Sequence, residues 1–171
     1  MTFTELAQRL CKQEGKELRA PSSLLCFDPG NTTGYAYFQG TELVEADQVI
    51  TDDIPTGTDR YKDLLTYYKP EVVVAEDYRI YSWRDKQHAW SELHTPKLVG
   101  ILESQCYTDF IPLVKQTAHA AKSFCTDKRL QEWGMWEKGK KHARDAIRHG
   151  CYYILFGKNT ASTRQSGHQV G

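Results

Sequence analysis

Asp28, Glu76, His142 and Asp145 are the side chains whose types and settings suit shared chemistry. Asp28 follows the apolar run Leu24-Leu25-Cys26-Phe27 and precedes Pro29-Gly30-Asn31, so it closes a buried strand just before a turn. Glu76 closes a second run, Val72-Val73-Val74-Ala75. In His142-Ala143-Arg144-Asp145 the outer two residues are three apart and share one helix face. If the two strands are neighbours, two carboxylates face each other at one sheet edge, and the helix can bring a third carboxylate and an imidazole to them. Clustered carboxylates repel, and holding several together is costly unless a cation sits between them. An oxygen-rich set suits Mg²⁺ or Mn²⁺, whereas zinc favours Cys and His. Two such ions about 3.5–4 Å apart can activate a water and stabilise the leaving oxygen in phosphodiester cleavage. His142 would ligate an ion or shuttle a proton.

Each residue also has an ordinary explanation. An aspartate before Pro-Gly forms turns, a Glu-Asp pair can be a plain strand exit, and His142 with Asp145 can be a solvated helix face. Strand parity narrows the choice at the second carboxylate. Val72, Val74 and Glu76 share one face, while Val73, Ala75 and Asp77 share the other. Glu76 is therefore assigned to the site and Asp77 to a cap or loop hydrogen bond.

The elements that must position these groups follow from periodicity and turn signals. Thr4 to Gln13 reads as a short amphipathic helix, Leu24 to Asp28 as the first strand, and Gly34 to Phe38 and Glu42 to Ile50 as two more joined at Gly40. Asp59 to Lys69 reads as a helix stopped by Pro70, and Glu71 to Asp77 as a strand buried on both faces. Pro96 to Tyr107 reads as a helix, Phe110 to Val114 as a fifth strand, and Ala118 to Trp133 and Lys141 to Phe156 as two last helices, with Gly134 and Gly139 between them. This order predicts an α/β fold whose mixed sheet is antiparallel first and parallel later. Reactive groups gather beyond the C-terminal strand ends of such sheets. The expected organisation is an N-terminal extension over residues 1–23, one domain over 24–156, and a disordered tail over 157–171.

Composition excludes several classes. A chain of 171 residues with 40% hydrophobic and 26% charged residues has the size and balance of one globular domain. It has no apolar run long enough to cross a membrane and no apolar N-terminal segment of a secretory signal, so a cytoplasmic protein is expected. Net charge is zero, but Lys138, Lys140, Lys141, Arg144 and Arg148 cluster near His142 and His149, so one face can still be basic. The five cysteines are widely spaced with no C-x-x-C. That argues against a zinc site or disulfide frame and for Cys26, Cys106 and Cys151 as small core residues. Trp133 and Trp136 are assigned to packing.

The stretch Leu25-Cys26-Phe27-Asp28-Pro29-Gly30-Asn31-Thr32-Thr33-Gly34-Tyr35-Ala36 resembles the opening of RuvC-type Holliday-junction resolvases, which have the ribonuclease H-like fold. The resemblance continues through Val73-Val74-Ala75-Glu76 and Pro112-Leu113-Val114-Lys115, and ends at His142-Ala143-Arg144-Asp145-Ala146. It implies a five-stranded mixed sheet in the order 3-2-1-4-5, flanked by helices. It further implies two Mg²⁺ ions per site, replaceable by Mn²⁺, and symmetric nicking of branched DNA, a four-way junction, by a homodimer. Carried over, Asp28, Glu76 and Asp145 are the metal-binding carboxylates, His142 is the fourth ligand, and Lys115 and Lys122 contact DNA phosphate. Met1 to Ser23 and the Gly134 to Gly139 insert lie outside the family pattern, which suggests a divergent, phage-type member.

Just after Glu76, Tyr78, Tyr81, Trp83 and Trp90 interleave with Arg79, Arg84 and Lys86. Aromatics can stack on unpaired bases while cations hold the backbone, so Tyr81, Trp83 and Arg84 are candidate DNA contacts; core or dimer packing is the alternative. Lys141 and Arg144 are candidate phosphate contacts because they adjoin His142 and Asp145. Other readings stay open: a nuclease for flaps or RNA–DNA hybrids, or a non-catalytic DNA-binding module of the same fold. Asp28-x-Gly30-x-Thr32 also resembles the phosphate loop of actin-like ATPases and sugar kinases, but no second phosphate loop follows residue 76.

Overall fold

The computed structural model describes residues 1–78 and 93–157. Helix α1 (Phe3–Gln13) is followed by strands β1 (Leu24–Asp28), β2 (Thr32–Gln39) and β3 (Glu42–Ile50), helix α2 (Ile54–Tyr68) and strand β4 (Val72–Glu76). Helix α3 (His94–Thr108), strand β5 (Leu113–Gln116) and helices α4 (Ala118–Phe124), α5 (Asp127–Glu132) and α6 (Lys141–Phe156) complete it. The strands form one sheet in the order β3-β2-β1-β4-β5. β1 pairs antiparallel with β2 and parallel with β4, and β4 pairs parallel with β5. This is the mixed sheet that the patterning predicts, in the strand order that the resemblance implies.

β1 lies at the centre and is buried at every position. Its side chains alternate between two cores, as the pleat requires. Leu24 and Cys26 join Val72, Val74, Ala36 and Phe38 beneath α6, while Leu25 and Phe27 join Val73 and Ala75 beneath α2 and α3. Asp28 and Glu76, two residues beyond Cys26 and Val74, therefore belong to the face that α6 covers. That parity is the basis of the Glu76 assignment, and the packing of Val72 and Val74 agrees with it.

The first core also takes in the N-terminal helix. Thr2 and Glu5 form a capping box on α1, Phe3 and Ala7 are buried, and the Phe3 ring lies 5.0 Å from that of Trp133. Trp136 packs against the same core, and Cys26, Cys106, Cys125 and Cys151 are buried free thiols. Burial alone pushes the Cys26 thiol well up, and it raises Cys106, with help from Asp109, to about 12, so both behave as small hydrophobes. Among the described residues no helix is long and apolar enough to cross a membrane.

The largest departures from the sequence-predicted bounds fall in three places. α2 starts at Ile54 rather than Asp59, because Asp53 caps it by accepting from the Thr56 N–H and Pro55 suits its first turn. β5 starts at Leu113 rather than Phe110. Phe110 instead ends α3 in a left-handed conformation, with the Ile111 N–H donating to the Cys106 carbonyl. The helix expected over Ala118 to Trp133 is two helices. α4 ends at Phe124, and Thr126 caps α5 by accepting from the Arg129 N–H. The expected tail lies outside the described residues beyond Gly157.

Candidate active site

Asp28 is placed by its strand and by the turn after it. Thr51 Oγ1 donates to the Gly30 carbonyl at 2.5 Å and lies 2.7 Å from Thr33 Oγ1, which in turn meets the Tyr61 hydroxyl at 2.9 Å. The Thr51 N–H donates to the Asn31 carbonyl at 2.8 Å. Buried hydroxyls with satisfied partners hold such a turn in one shape. Gly34 pairs with Asp28 across the ladder, and a Cβ on it would lie 1.9 Å from the His142 carbonyl oxygen. A residue without a side chain is thus required where the first turn of α6 meets β2. The start of α6 is tied further by Lys140 to Asp47 at 3.2 Å and by Arg144, which donates to the Glu137 carbonyl and covers the Trp136 ring at 4.4 Å.

The result is a convergence from β1, β4 and α6. His142 Nδ1 lies 2.9 Å from Asp28 Oδ2. Asp145, only 3% exposed, receives Arg148 Nη1 on Oδ1 at 2.6 Å, while its Oδ2 faces Lys122 Nζ at 3.3 Å and Lys141 Nζ at 3.5 Å. Lys122 also stands 3.9 Å from Glu76 Oε2, which His149 Nε2 meets at 3.2 Å.

The electrostatics divide the carboxylates. Burial, the facing charge of Glu76 and, to a lesser degree, that of Asp145 push the Asp28 carboxyl up to about 6, against the opposing hydrogen bond to His142. Burial also opposes ionisation of Glu76, but the hydrogen bond from His149, with the charges of His149 and Lys122, leaves its carboxyl below the usual range. For Asp145, burial is likewise outweighed, by Lys122 first and then by Lys141 and Arg148. Two carboxylates are thus offset by neighbouring donors and cations, and the third is not.

The sequence-predicted residues are not all brought together. Asp28, Glu76, His142, Asp145, Lys122 and Lys141 meet in one place. Lys115 does not. It pairs with Ala75 in the β4–β5 register, so it projects to the α2–α3 side, where it meets Glu103 of α3 at 2.6 Å. Arg144 is engaged with Glu137 and Trp136. Tyr81, Trp83 and Arg84 lie outside the described residues. Sequence reasoning missed Arg148, His149, Gln116 and Gly34. Arg148 and His149 stand three and four residues after Asp145 on α6, the spacing that already linked His142 to Asp145 and would have found them.

Three carboxylates and one imidazole are the right donors for a hard divalent cation. Burial and the facing charges of Glu76 and Asp145 raise Asp28, and an ion would relieve the charge part of that cost, so the residues fit the group. Among the described residues, however, no three of these groups are drawn to the spacing that closes round an ion. Their oxygens turn instead to Lys122, Arg148 and the two histidines.

No family model and no curated protein matches the sequence. Solved structures do match the fold. Thermus thermophilus RuvC in complex with a Holliday junction substrate aligns with a TM-score of 0.64 at 14% identity, over 81% of this chain and 96% of that one. The yeast mitochondrial Holliday junction resolvase aligns with a TM-score of 0.58 at 14% identity, over 90% of this chain and 93% of that one. The fowlpox virus Holliday junction resolvase gives 0.52 at 16% identity, over 77% and 97%. The chain has the ribonuclease H-like fold of the RuvC-type resolvases.

Proposed function

We propose that this protein is a divalent-metal-dependent endonuclease that cuts phosphodiester bonds in branched DNA, with the four-way junction as its preferred substrate. The observation that carries the reading is the meeting of Asp28, Glu76, His142 and Asp145 at the C-terminal sheet edge, on the one face that α6 covers. The matched structures support it, since they are Holliday junction resolvases, one of them in complex with a junction substrate.

Asp28, Glu76, Asp145 and His142 would hold the Mg²⁺ or Mn²⁺ ions. Those ions would supply Lewis acidity toward the phosphodiester and an activated water. Lys122 and Lys141, beside Asp145, are proposed to meet the phosphates that flank the cut. Tyr81, Trp83 and Arg84 are proposed to stack on and grip the unpaired branch point, on the strength of their interleaved sequence. Lys115 and Arg144 would reach DNA only by leaving Glu103 and Trp136. A homodimer suits the substrate, because a junction offers two equivalent strands to two equivalent sites.

The test is incubation with four-way junction, flap, RNA–DNA hybrid and plain duplex side by side, with and without Mg²⁺ or Mn²⁺. Metal-dependent cleavage of the junction is expected, lost in Asp28→Asn, Glu76→Gln and Asp145→Asn, all of which should still bind the junction. Cutting by all three variants at the wild-type rate would overturn the assignment.

A further inference from the structure

His149 is fully buried, and the sequence reading gave it no task. Its two ring nitrogens reach two different strands. Nδ1 lies 3.1 Å from Gln116 Oε1 at the end of β5, and Nε2 lies 3.2 Å from Glu76 Oε2 at the end of β4. Glu76 and Gln116 are themselves register partners in the β4–β5 ladder. One imidazole from α6 therefore spans the ends of two adjacent strands at the point where the carboxylates meet.

The hydrogen-bond inventory fixes the direction of the contact with Glu76. A carboxylate only accepts, so Nε2 must carry a proton and donate. Nδ1 then either donates to the Gln116 oxygen or, with the amide turned over, accepts from its nitrogen; the two amide orientations have the same shape. Both arrangements leave Nε2–H aimed at Glu76. Gln116 thus holds the ring from behind, and the ring holds one oxygen of Glu76. Arg148, the preceding residue, treats Asp145 similarly: its guanidinium takes Oδ1 while Nε donates to the Cys125 carbonyl at 2.9 Å and Nη2 pairs with Asp127.

We infer that His149, backed by Gln116, is a positioning residue for Glu76. It fixes the rotamer of that carboxylate so that the oxygen not engaged by the imidazole is presented to the divalent ion. This rests on the metal-site reading of Glu76. Partners that orient metal-binding carboxylates and imidazoles typically change metal affinity 10- to 100-fold when removed, because the ligand must then be ordered by the ion itself.

The experiment is Mn²⁺ binding to the full-length protein, measured by titration calorimetry without DNA. His149→Phe keeps the ring volume and removes both hydrogen bonds. It should weaken Mn²⁺ binding about 10- to 100-fold in protein shown to be folded by circular dichroism. His149→Gln retains a side-chain N–H donor and should recover much of the loss, which a role in packing alone would not produce. Gln116→Leu leaves His149 in place without its backing partner and should weaken binding by a smaller factor; it also carries the test if His149→Phe does not fold. Wild-type affinity in folded His149→Phe, or in Gln116→Leu where that variant stands alone, overturns the positioning role. If Glu76→Gln abolishes binding while His149→Phe does not, only the positioning role fails. If wild type binds no Mn²⁺, or Glu76→Gln leaves binding unchanged, the metal-site reading fails and takes the inference with it.

Discussion

Gly34 and His142 approach so closely that a single methyl group on Gly34 would lie 1.9 Å from the His142 carbonyl oxygen, inside any tolerable contact. The obstacle is helix backbone, which cannot rotate aside. Gly34→Ala must lift the first turn of α6 off β2 and draw His142 away from Asp28. The expected result is a loss of about 1–3 kcal/mol in denaturant unfolding, together with loss of divalent-ion binding. Gly100→Ala, on an exposed position of α3 with nothing within 4 Å, should instead gain about 0.5–1 kcal/mol. A Gly34→Ala protein as stable as wild type would show that α6 does not pack as described.

Asp28 leads to a pH dependence with a definite sign. Its folded carboxyl is raised from 3.8 to about 6 by burial and the charges of Glu76 and Asp145, so the folded state binds that proton more tightly than the unfolded chain does. The ionised form therefore lowers stability, and the penalty grows as pH rises from about 4 to about 6 and is complete above that. Asp28→Asn should be more stable than wild type at pH 7.5, by on the order of 1–3 kcal/mol, with the advantage vanishing toward pH 4. Urea melts of both proteins across pH 4–8 measure it. A gap that is flat, or that widens in acid, would contradict a carboxyl raised by its surroundings.

Lys122 places one ammonium between Asp145 Oδ2 at 3.3 Å and Glu76 Oε2 at 3.9 Å. A divalent ion binding Asp145 Oδ2 must displace it. Because the lysine is 42% exposed, the pairs hold it only weakly, by about 1 kcal/mol or less. Lys122→Met should therefore tighten Mn²⁺ binding in the absence of DNA, by about three- to fivefold, and weaken binding to DNA. Unchanged Mn²⁺ affinity would mean that the ammonium and the ion do not share the Asp145 oxygen.

Phe110 is 94% exposed and holds φ at +55°, a conformation that costs a side chain roughly 1 kcal/mol. Phe110→Gly should raise stability by up to about 1 kcal/mol, read from thermal or denaturant melts. A decrease would show that the ring is covered in solution, as at an interface between copies.

Where packing imposed a repeating pattern, the sequence was readable. The apolar run before Asp28 marked a buried strand, and the alternation of Val72, Val74 and Glu76 against Val73 and Ala75 put Glu76 on the face that α6 covers. Where a single residue decided the outcome, it was not. Thr126 split one expected helix into two by capping the second, and Phe110, apolar enough to suggest a strand, served as a helix terminus. The same alternation that favoured Glu76 also turned Lys115 to the opposite face, where Glu103 of the preceding helix meets it. Arg148 and His149 were hidden in a basic run that resembles a solvated surface. Only their burial separates them from Lys138 and Lys140.

The hydrogen bond between His142 and Asp28 closes a gap of 114 residues, and the helix that supplies it also provides Asp145, Arg148 and His149. During synthesis, a growing chain carries Asp28 and Glu76 well before it carries any of these partners. The arrangement of Asp28 and Glu76 with His142, Asp145, Arg148 and His149 comes into being only when α6 docks, so a partly made polypeptide lacks it, and the assembled cluster arrives together with the finished core.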